Sequence, residues 1–386
     1  MKKLKTKLKV KLNQRTIIIL SGIIAVILVA VGVFSFMTSD YHNAYSDSES
    51  GSENLFFSST ESENGVSFTG NDIITVQSFS SRMFVLTEKL LASVDTDGEI
   101  KYTKVHNYLN PAIKVSGKYG ILFNRNSHEY MIFTTRGIIY EGKSIDEKDI
   151  IAADINNQGD IVLSTKSDTS ASMVSLITKD GESKYIWACG EEYAVSLDLH
   201  SNSKKIAVGA IGAKEGEIMS KSYLLDIYSD KAQCEFTYVG DGITDIKYQG
   251  KNIVSVFTKE RIIYDINAAK GAAEKSKYVS EAVSTCTDDS GNTAVISDSI
   301  SDFDRTALAV YDSKNNVRFT VNLDGKPEAV VLKGKTAYAS CTNTVYEVKS
   351  GKIKNTLNVD FTIDGLVLCK GKLFAYSSGI LREVSI

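Results

Sequence analysis

Histidine is scarce in this chain: His42, His106, His128 and His200 are the four in 386 residues, with no HxH, HExxH or His–Cys grouping. A zinc site needs several converging ligands, so the spacing argues against one and leaves the histidines as lone loop residues. No two cysteines form a CxxC pair; Cys189, Cys234, Cys286, Cys341 and Cys369 are scattered. They read as small buried residues, and an odd count leaves at least one thiol free even where an oxidising compartment permits disulfides. A GxSxG elbow and a dinucleotide fingerprint are both missing, which removes sequence support for the enzymes they mark. Tryptophan occurs once, as Trp187, and proline twice, as Pro111 and Pro327 in predicted connections.

Two segments each lack one sign of charge. Residues 1–15 hold six Lys and one Arg with no acid, while residues 38–64 hold six acids with no base. The overall net charge of −3 therefore hides +7 at the start and −10 beyond residue 37. An acidic main portion lacks the clustered Lys/Arg that neutralise phosphates, so no nucleic-acid partner is expected.

Between these segments lies the uncharged run IIILSGIIAVILVAVGVFSFM, residues 17–37. At ~1.5 Å per residue a helix of this length spans ~30 Å, the thickness of a bilayer's hydrocarbon. The basic flank on one side places the N-terminus in the cytoplasm and the following chain outside. The run is longer than the ~7–15-residue apolar core of a cleaved signal, which favours an anchor. The expected layout is a basic cytoplasmic tail at 1–16, a transmembrane helix at 17–37, a disordered acidic stalk at 38–64 and one folded domain at 65–386. The stalk's Ser- and acid-rich composition is that of a solvated linker. Membrane lipid is thus a partner through the helix.

From Val66 onward, short runs rich in Val, Ile, Tyr, Phe and Thr alternate in polarity and are broken by Gly, Asn, Asp and Ser. One unit recurs: strand, tight turn, strand, as in VSGKYGILF, INNQGDIVLS, LKGKTAYAS and CKGKLFAYS. The turns at Ser81, Gly117, Gly159, Ser203, Gly250, Gly291, Gly334 and Gly371 are 36 to 47 residues apart. A second hairpin follows each, for example SVDTDGEIKY or EVKSGKIKNT. Two hairpins per ~40 residues make a four-stranded propeller blade. The expected fold is all-β, an eight-bladed β-propeller with a seven-bladed one as alternative. The last repeat has room for only three strands, so GVSFT at 65–69 should supply its fourth and close the ring.

On these repeats the region resembles quinoprotein-like and WD40-like β-propellers. The anchor-plus-propeller layout also resembles a family of single-pass membrane proteins of low-GC Gram-positive bacteria that implies no activity. Quinone-cofactor propellers need Trp-rich docking and adjacent cysteines, so no cofactor is carried over. TDDSGNTA, from Thr287, resembles a sialidase Asp-box, but Ala294 replaces the aromatic and it occurs once; it reads as a turn.

Charge sorts by face. Connections between blades share one face and hairpin turns the other. The connection face carries Asp146, Glu147, Asp149, Glu191, Glu192, Asp241, Asp245, Asp298, Asp302, Asp304, Asp324, Asp360 and Asp364, a candidate acidic binding face. The hairpin face is Lys-rich, with Lys333, Lys335, Lys370 and Lys372 as candidate membrane-facing turns, since the closing strand should enter from that side. The first functional expectation is a membrane-anchored extracytoplasmic binding or scaffold module, non-catalytic, meeting a protein or peptide partner at its acidic face. The alternatives are a surface sensor working through a membrane partner and a carbohydrate-active hydrolase or lyase. A converging carboxylate pair with raised pKa would favour the enzyme.

Overall fold

Seven repeats fold as four antiparallel strands in chain order, the last supplies three strands to its sheet, and the ring holds eight sheets. The computed structural model describes residues 61–62, 65–68, 70–249, 253–258, 263–267, 272–277, 282–288, 290–298, 305–314 and 316–386. The apolar run 17–37 and most of the expected stalk lie outside the described residues, as do Asp302 and Asp304. Among the described residues no helix is long and apolar enough to cross a membrane.

Blade one comprises Ile73–Phe79, Arg82–Thr87, Leu90–Val94 and Ile100–Val105. The innermost strands of blades two to eight are Pro111–Ser116, Ile150–Ile155, Tyr193–Leu199, Ile243–Gln249, Ala282–Thr287, Pro327–Lys333 and Gly365–Cys369. Both prolines thus open innermost strands rather than lying in connections. A strand's first position tolerates the missing N–H.

The second strand of a blade is covered on both faces by neighbouring blades, so it reads as a continuous apolar run. Met83, Phe84, Val85 and Leu86 are all fully buried. Outermost strands alternate instead, as in Ile100–Val105, because one face meets water. The tight turns need a left-handed residue. Gly117 sits at φ +61°, and a side chain there would also strike Asn157 of the next blade at 2.8 Å.

Among the described residues the apolar core is a set of eight clusters, each seated between consecutive blades. Val174, Leu176, Leu197 and Val208 join blades three and four. Phe84, Leu86, Leu122 and Phe133 join blades one and two, with the Phe79 and Phe84 rings stacked at 4.6 Å. The cluster across the closure contains Val66, Phe68, Val76, Phe374 and Leu381. Gly65–Ser67 pairs antiparallel with Ile380–Val384, through Gly65–Arg382, Val66–Leu381 and Ser67–Ile380. The ring therefore closes as its deficient last repeat requires.

Two features differ from the sequence reading. Glu61–Ser62 forms a short fifth strand in blade eight, inside the segment expected to be stalk. It runs antiparallel to the closing strand, so the chain passes Glu61 heading toward the hairpin-turn face and not away from it. The direct entry from the basic face, on which the lysine-to-lipid orientation rested, is not what the strands make. Second, blade four has ten-residue strands, Lys205–Lys214 and Glu217–Asp226, against six or seven in most middle strands. Their hairpin projects on the blade-connection face, tipped by Glu215 and Gly216, both at positive φ.

Candidate binding site in the propeller channel

The innermost strands enclose a channel with two chambers. The larger, about 780 Å³, opens toward the hairpin-turn face, and the smaller, about 420 Å³, toward the blade connections. Lys114, Leu197 and Asp245 line both and mark where the chambers meet. Each volume is in the range of small-molecule sites, ~300–1,000 Å³.

One belt of residues rings the larger chamber, one per blade: Gln77, Lys114, Asp154, Asp198, Lys247, Cys286, Val331 and Val367. The charges fall on four consecutive blades in the order Lys, Asp, Asp, Lys. The other four blades offer a thiol, an amide and two aliphatic groups. Asp245 stands two residues above Lys247 and accepts a hydrogen bond from the Ser196 hydroxyl at 3.0 Å.

The carboxylates brace the ring. Asp154 Oδ2 accepts the Leu199 N–H at 2.8 Å, and Asp198 Oδ2 accepts the Tyr248 N–H at 2.7 Å, each bond crossing to the next blade. Ser196 and Ser284 do the same one layer up, accepting the N–H groups of Ile246 (3.2 Å) and Val330 (3.3 Å). Burial pushes the Asp154 and Asp198 carboxyls well above the ordinary value of 3.8, and Asp198 is raised further by the charge of Asp154. Lys114 and the main-chain donors oppose this for Asp154, without cancelling it. Burial works to lower the Lys247 ammonium, but Asp245 and Asp198 outweigh it and the net direction is upward. Lys247 is exposed to the channel's water even though protein surrounds it.

The acidic face is assembled only in part. Asp146, Glu147, Glu191, Asp298, Asp324, Asp360 and Asp364 are exposed, and Asp149 is half-buried. Several carry cations of their own: Glu147 with Lys143 at 2.9 Å, Asp149 with Lys166 at 2.9 Å, Asp360 with Arg382 at 2.7 Å. Asp364 accepts bonds from Ser377 Oγ and the Ser378 N–H, both at 3.0 Å. Glu192 and Asp241 are withdrawn from the surface, at 2% and 6% exposure. Glu192 ion-pairs with Lys221 at 2.8 Å and accepts the Tyr223 hydroxyl at 3.0 Å. Asp241 accepts the Thr258 hydroxyl at 2.5 Å. Asp245 lies in the channel, not on the rim.

On the opposite face Lys333, Lys335 and Lys370 are exposed, with Lys333 Nζ donating to the Gly371 carbonyl at 3.3 Å. Lys372 is half-buried and paired with Glu383 at 3.0 Å. Of the histidines read as loop residues, His106 is buried, its Nδ1 accepting the Tyr108 N–H at 3.3 Å. The cysteines are free; four are buried and Cys286 faces the channel. Trp187 packs on Tyr223 at 5.0 Å. Asp288 accepts the Ser290 and Asn292 N–H groups at 2.9 Å, so the Asp-box-like segment is a turn. Among the described residues no three His, Cys, Asp or Glu side chains converge as metal ligands.

The channel belt is what sequence reading missed. Its signal was present as a lone charge inside an apolar strand in AIKV, AADI and SLDL, and as the alternating pair Asp245 and Lys247 in DIKY.

This architecture defines a closed, eight-bladed, WD40-like β-propeller. The crystal structure of Saccharomyces cerevisiae Sqt1 is similar, with a TM-score of 0.61 at 9% identity over 85% of this chain and 100% of that one. So is the C-terminal WD40 domain of Sif2, with a TM-score of 0.61 at 12% identity over 86% and 100%. BamB from Moraxella catarrhalis gives 0.52 at 12% identity over 80% and 95%. Identities this low establish the fold alone. A search of curated sequences found no match. Residues 53–378 match the family of unknown function DUF5711, and the chain belongs to that family.

Proposed function

We propose that this protein is a membrane-tethered, extracytoplasmic binding module whose blade-connection rim meets a basic peptide or protein. A β-propeller fold is consistent with a binding or scaffold module. The rim carries the reading: Asp146, Glu191, Asp298, Asp324 and Asp364 are exposed on the face where the connections cluster. Such a surface attracts a basic partner and speeds its encounter. The projecting hairpin of blade four adds an exposed apolar group, Ile218, at 55% exposure. The tether rests on the basic tail and the uncharged run 17–37. The N-terminus is then cytoplasmic and the propeller outside.

External protease on intact protoplasts carrying the full chain should degrade the propeller and spare a short membrane fragment. Full protection while a cytoplasmic marker is also protected overturns the location. Crosslinking on such cells should capture a basic partner, less efficiently when Asp146, Glu191 and Asp324 are changed to Asn or Gln. Equal capture by that variant overturns the rim.

A hydrolase or lyase reading has one observation in its favour, the raised Asp154–Asp198 pair. Both carboxylates already serve as acceptors for the next blade, which is why the binding reading is preferred.

A further inference from the structure

We propose that the charged arc of the channel binds a small zwitterion with one ammonium and two carboxylates, the pattern of an acidic amino acid or a short acidic peptide. The order of belt charges around blades two to five is Lys114, Asp154, Asp198, Lys247, that is plus, minus, minus, plus once the raised carboxyls ionise above neutral pH, with Asp245 one layer above Lys247. Its complement is minus, plus, minus. A ligand ammonium would sit against the two central carboxylates and its two carboxylates against the flanking lysines.

Three features separate this arc from a structural ion network. First, the lysines are not consumed by the acids. Among the described residues neither ammonium is in hydrogen-bond or ion-pair contact with a carboxylate; Asp245 and Asp198 act on Lys247 through space only. Second, the carboxylates are held still. Main-chain N–H groups of Leu199 and Tyr248 fix Asp154 and Asp198, and a carboxylate offers about four acceptor positions, so capacity remains for an ammonium. Third, the four belt charges fall on one side of a chamber of about 780 Å³, and Asp288 lines it from the turn of blade six, outside the belt. The facing side offers Val331, Val367 and Cys286, against which an aliphatic backbone can rest. Ligand sites commonly combine an apolar wall with a few placed polar groups.

A simple dicarboxylate would meet the lysines but leave the two acids facing it. A diamine would meet the acids but leave the lysines unpaired. Only the zwitterion satisfies all four groups, so discrimination rests on leaving a charge unpaired. The proposal is independent of the rim, and capture of a partner there can fail while the channel still binds.

The test uses the purified full-length protein in detergent at pH 8, where the raised Asp154 and Asp198 carboxyls are ionised, and calorimetric titration with glutamate, aspartate and the dipeptide Gly-Glu. Glutarate, which lacks the ammonium, and putrescine, which lacks the carboxylates, are the comparators. At least one zwitterion should bind saturably and at least tenfold more tightly than either comparator. Lys114→Gln and Lys247→Gln should each weaken it tenfold or more, while Lys247→Arg retains most of the affinity. Thermal melts establish that each variant is folded. If a Gln variant does not fold, the wild-type titration at rising salt replaces it, with affinity expected to fall. Absence of saturable binding by all three zwitterions overturns the proposal. So does equal binding of glutarate, or unchanged affinity in the folded Lys→Gln variants.

Discussion

The Asp198 carboxylate on blade four accepts the main-chain N–H of Tyr248 on blade five at 2.7 Å. Innermost strands of adjacent blades are too splayed to form a ladder, so their N–H groups need other acceptors. A side chain from the preceding blade supplies one, and Asp154 repeats the arrangement toward Leu199. An unsatisfied N–H inside the ring would cost ~1–3 kcal/mol. The channel acids are therefore blade-to-blade fasteners as well as a charged surface.

That double role sets a pH dependence. Burial raises both carboxyls above the ordinary value of 3.8. The folded chain then holds protons that the unfolded chain releases. The contribution to stability is fully present below that ordinary value and is lost as pH rises toward neutrality through the raised folded values. Asp198→Asn keeps an acceptor for Tyr248 and removes the charge. It should flatten the loss of stability between mildly acid and neutral pH, and at pH 8 should melt no lower than the parent. Urea titrations at several pH values check this; an unchanged pH slope refutes it.

His106 contributes with the opposite sign. Burial holds its imidazole below the ordinary value of 6.5. It stays neutral in the fold while the unfolded chain takes up a proton. Its contribution is present above that ordinary value and fades as pH falls below it. His106→Gln should therefore lose less stability than the parent between pH 7 and pH 5, whatever its stability at pH 7. Because the two contributions oppose each other over this range, combining it with Asp198→Asn should move the profile back toward the parent's.

The fold was legible because its signals are local. A left-handed turn such as Gly117, a continuous apolar run such as Met83–Leu86 and an alternating strand such as Ile100–Val105 each leave a mark within a few residues. Closure by Gly65–Ser67 was legible too, from a strand deficit. Sites depend on which side a residue faces, and that was harder. Glu192 and Asp245 both sit near blade connections, yet one turns into the core beside Lys221 and the other into the channel. Loop position alone cannot separate these outcomes. The two-residue strand Glu61–Ser62 was hidden because TESEN, residues 60–64, reads as stalk.

Closure should dominate mechanical integrity. Val66 and Phe68 are 3% and 6% exposed and pack across the seam between the last blade and the first. Burying side chains of this kind is worth ~1.5–3 kcal/mol each, and an aspartate in their place adds a desolvation cost. Val66→Asp should lower stability by ~3–5 kcal/mol and increase proteolysis near the final blade. Val283→Asp, at a position 45% exposed, is the comparison and should change stability little. Similar melting of the two variants would contradict closure by this strand.

Glu192 provides the last case, a carboxylate expected at the surface and found inside. It is 2% exposed, ion-paired with Lys221 at 2.8 Å and hydrogen-bonded by Tyr223 at 3.0 Å. Removing one partner of a buried pair usually costs ~3–5 kcal/mol, because the other charge is stranded. Lys221 keeps a second partner, Glu235 at 3.1 Å, so the lower end of that range applies. Glu192→Ala should therefore cost ~3 kcal/mol, and Glu192→Gln less, since an amide oxygen still accepts the Tyr223 hydroxyl. Lys221→Met combined with Glu192→Leu removes both charges and should recover much of the loss, as replaced buried pairs commonly do. Denaturant melts of the three variants decide the matter. A Glu192→Ala variant as stable as the parent would mean that the pair is dispensable. A double variant less stable than Glu192→Ala would mean that the interior at this point requires the ions themselves.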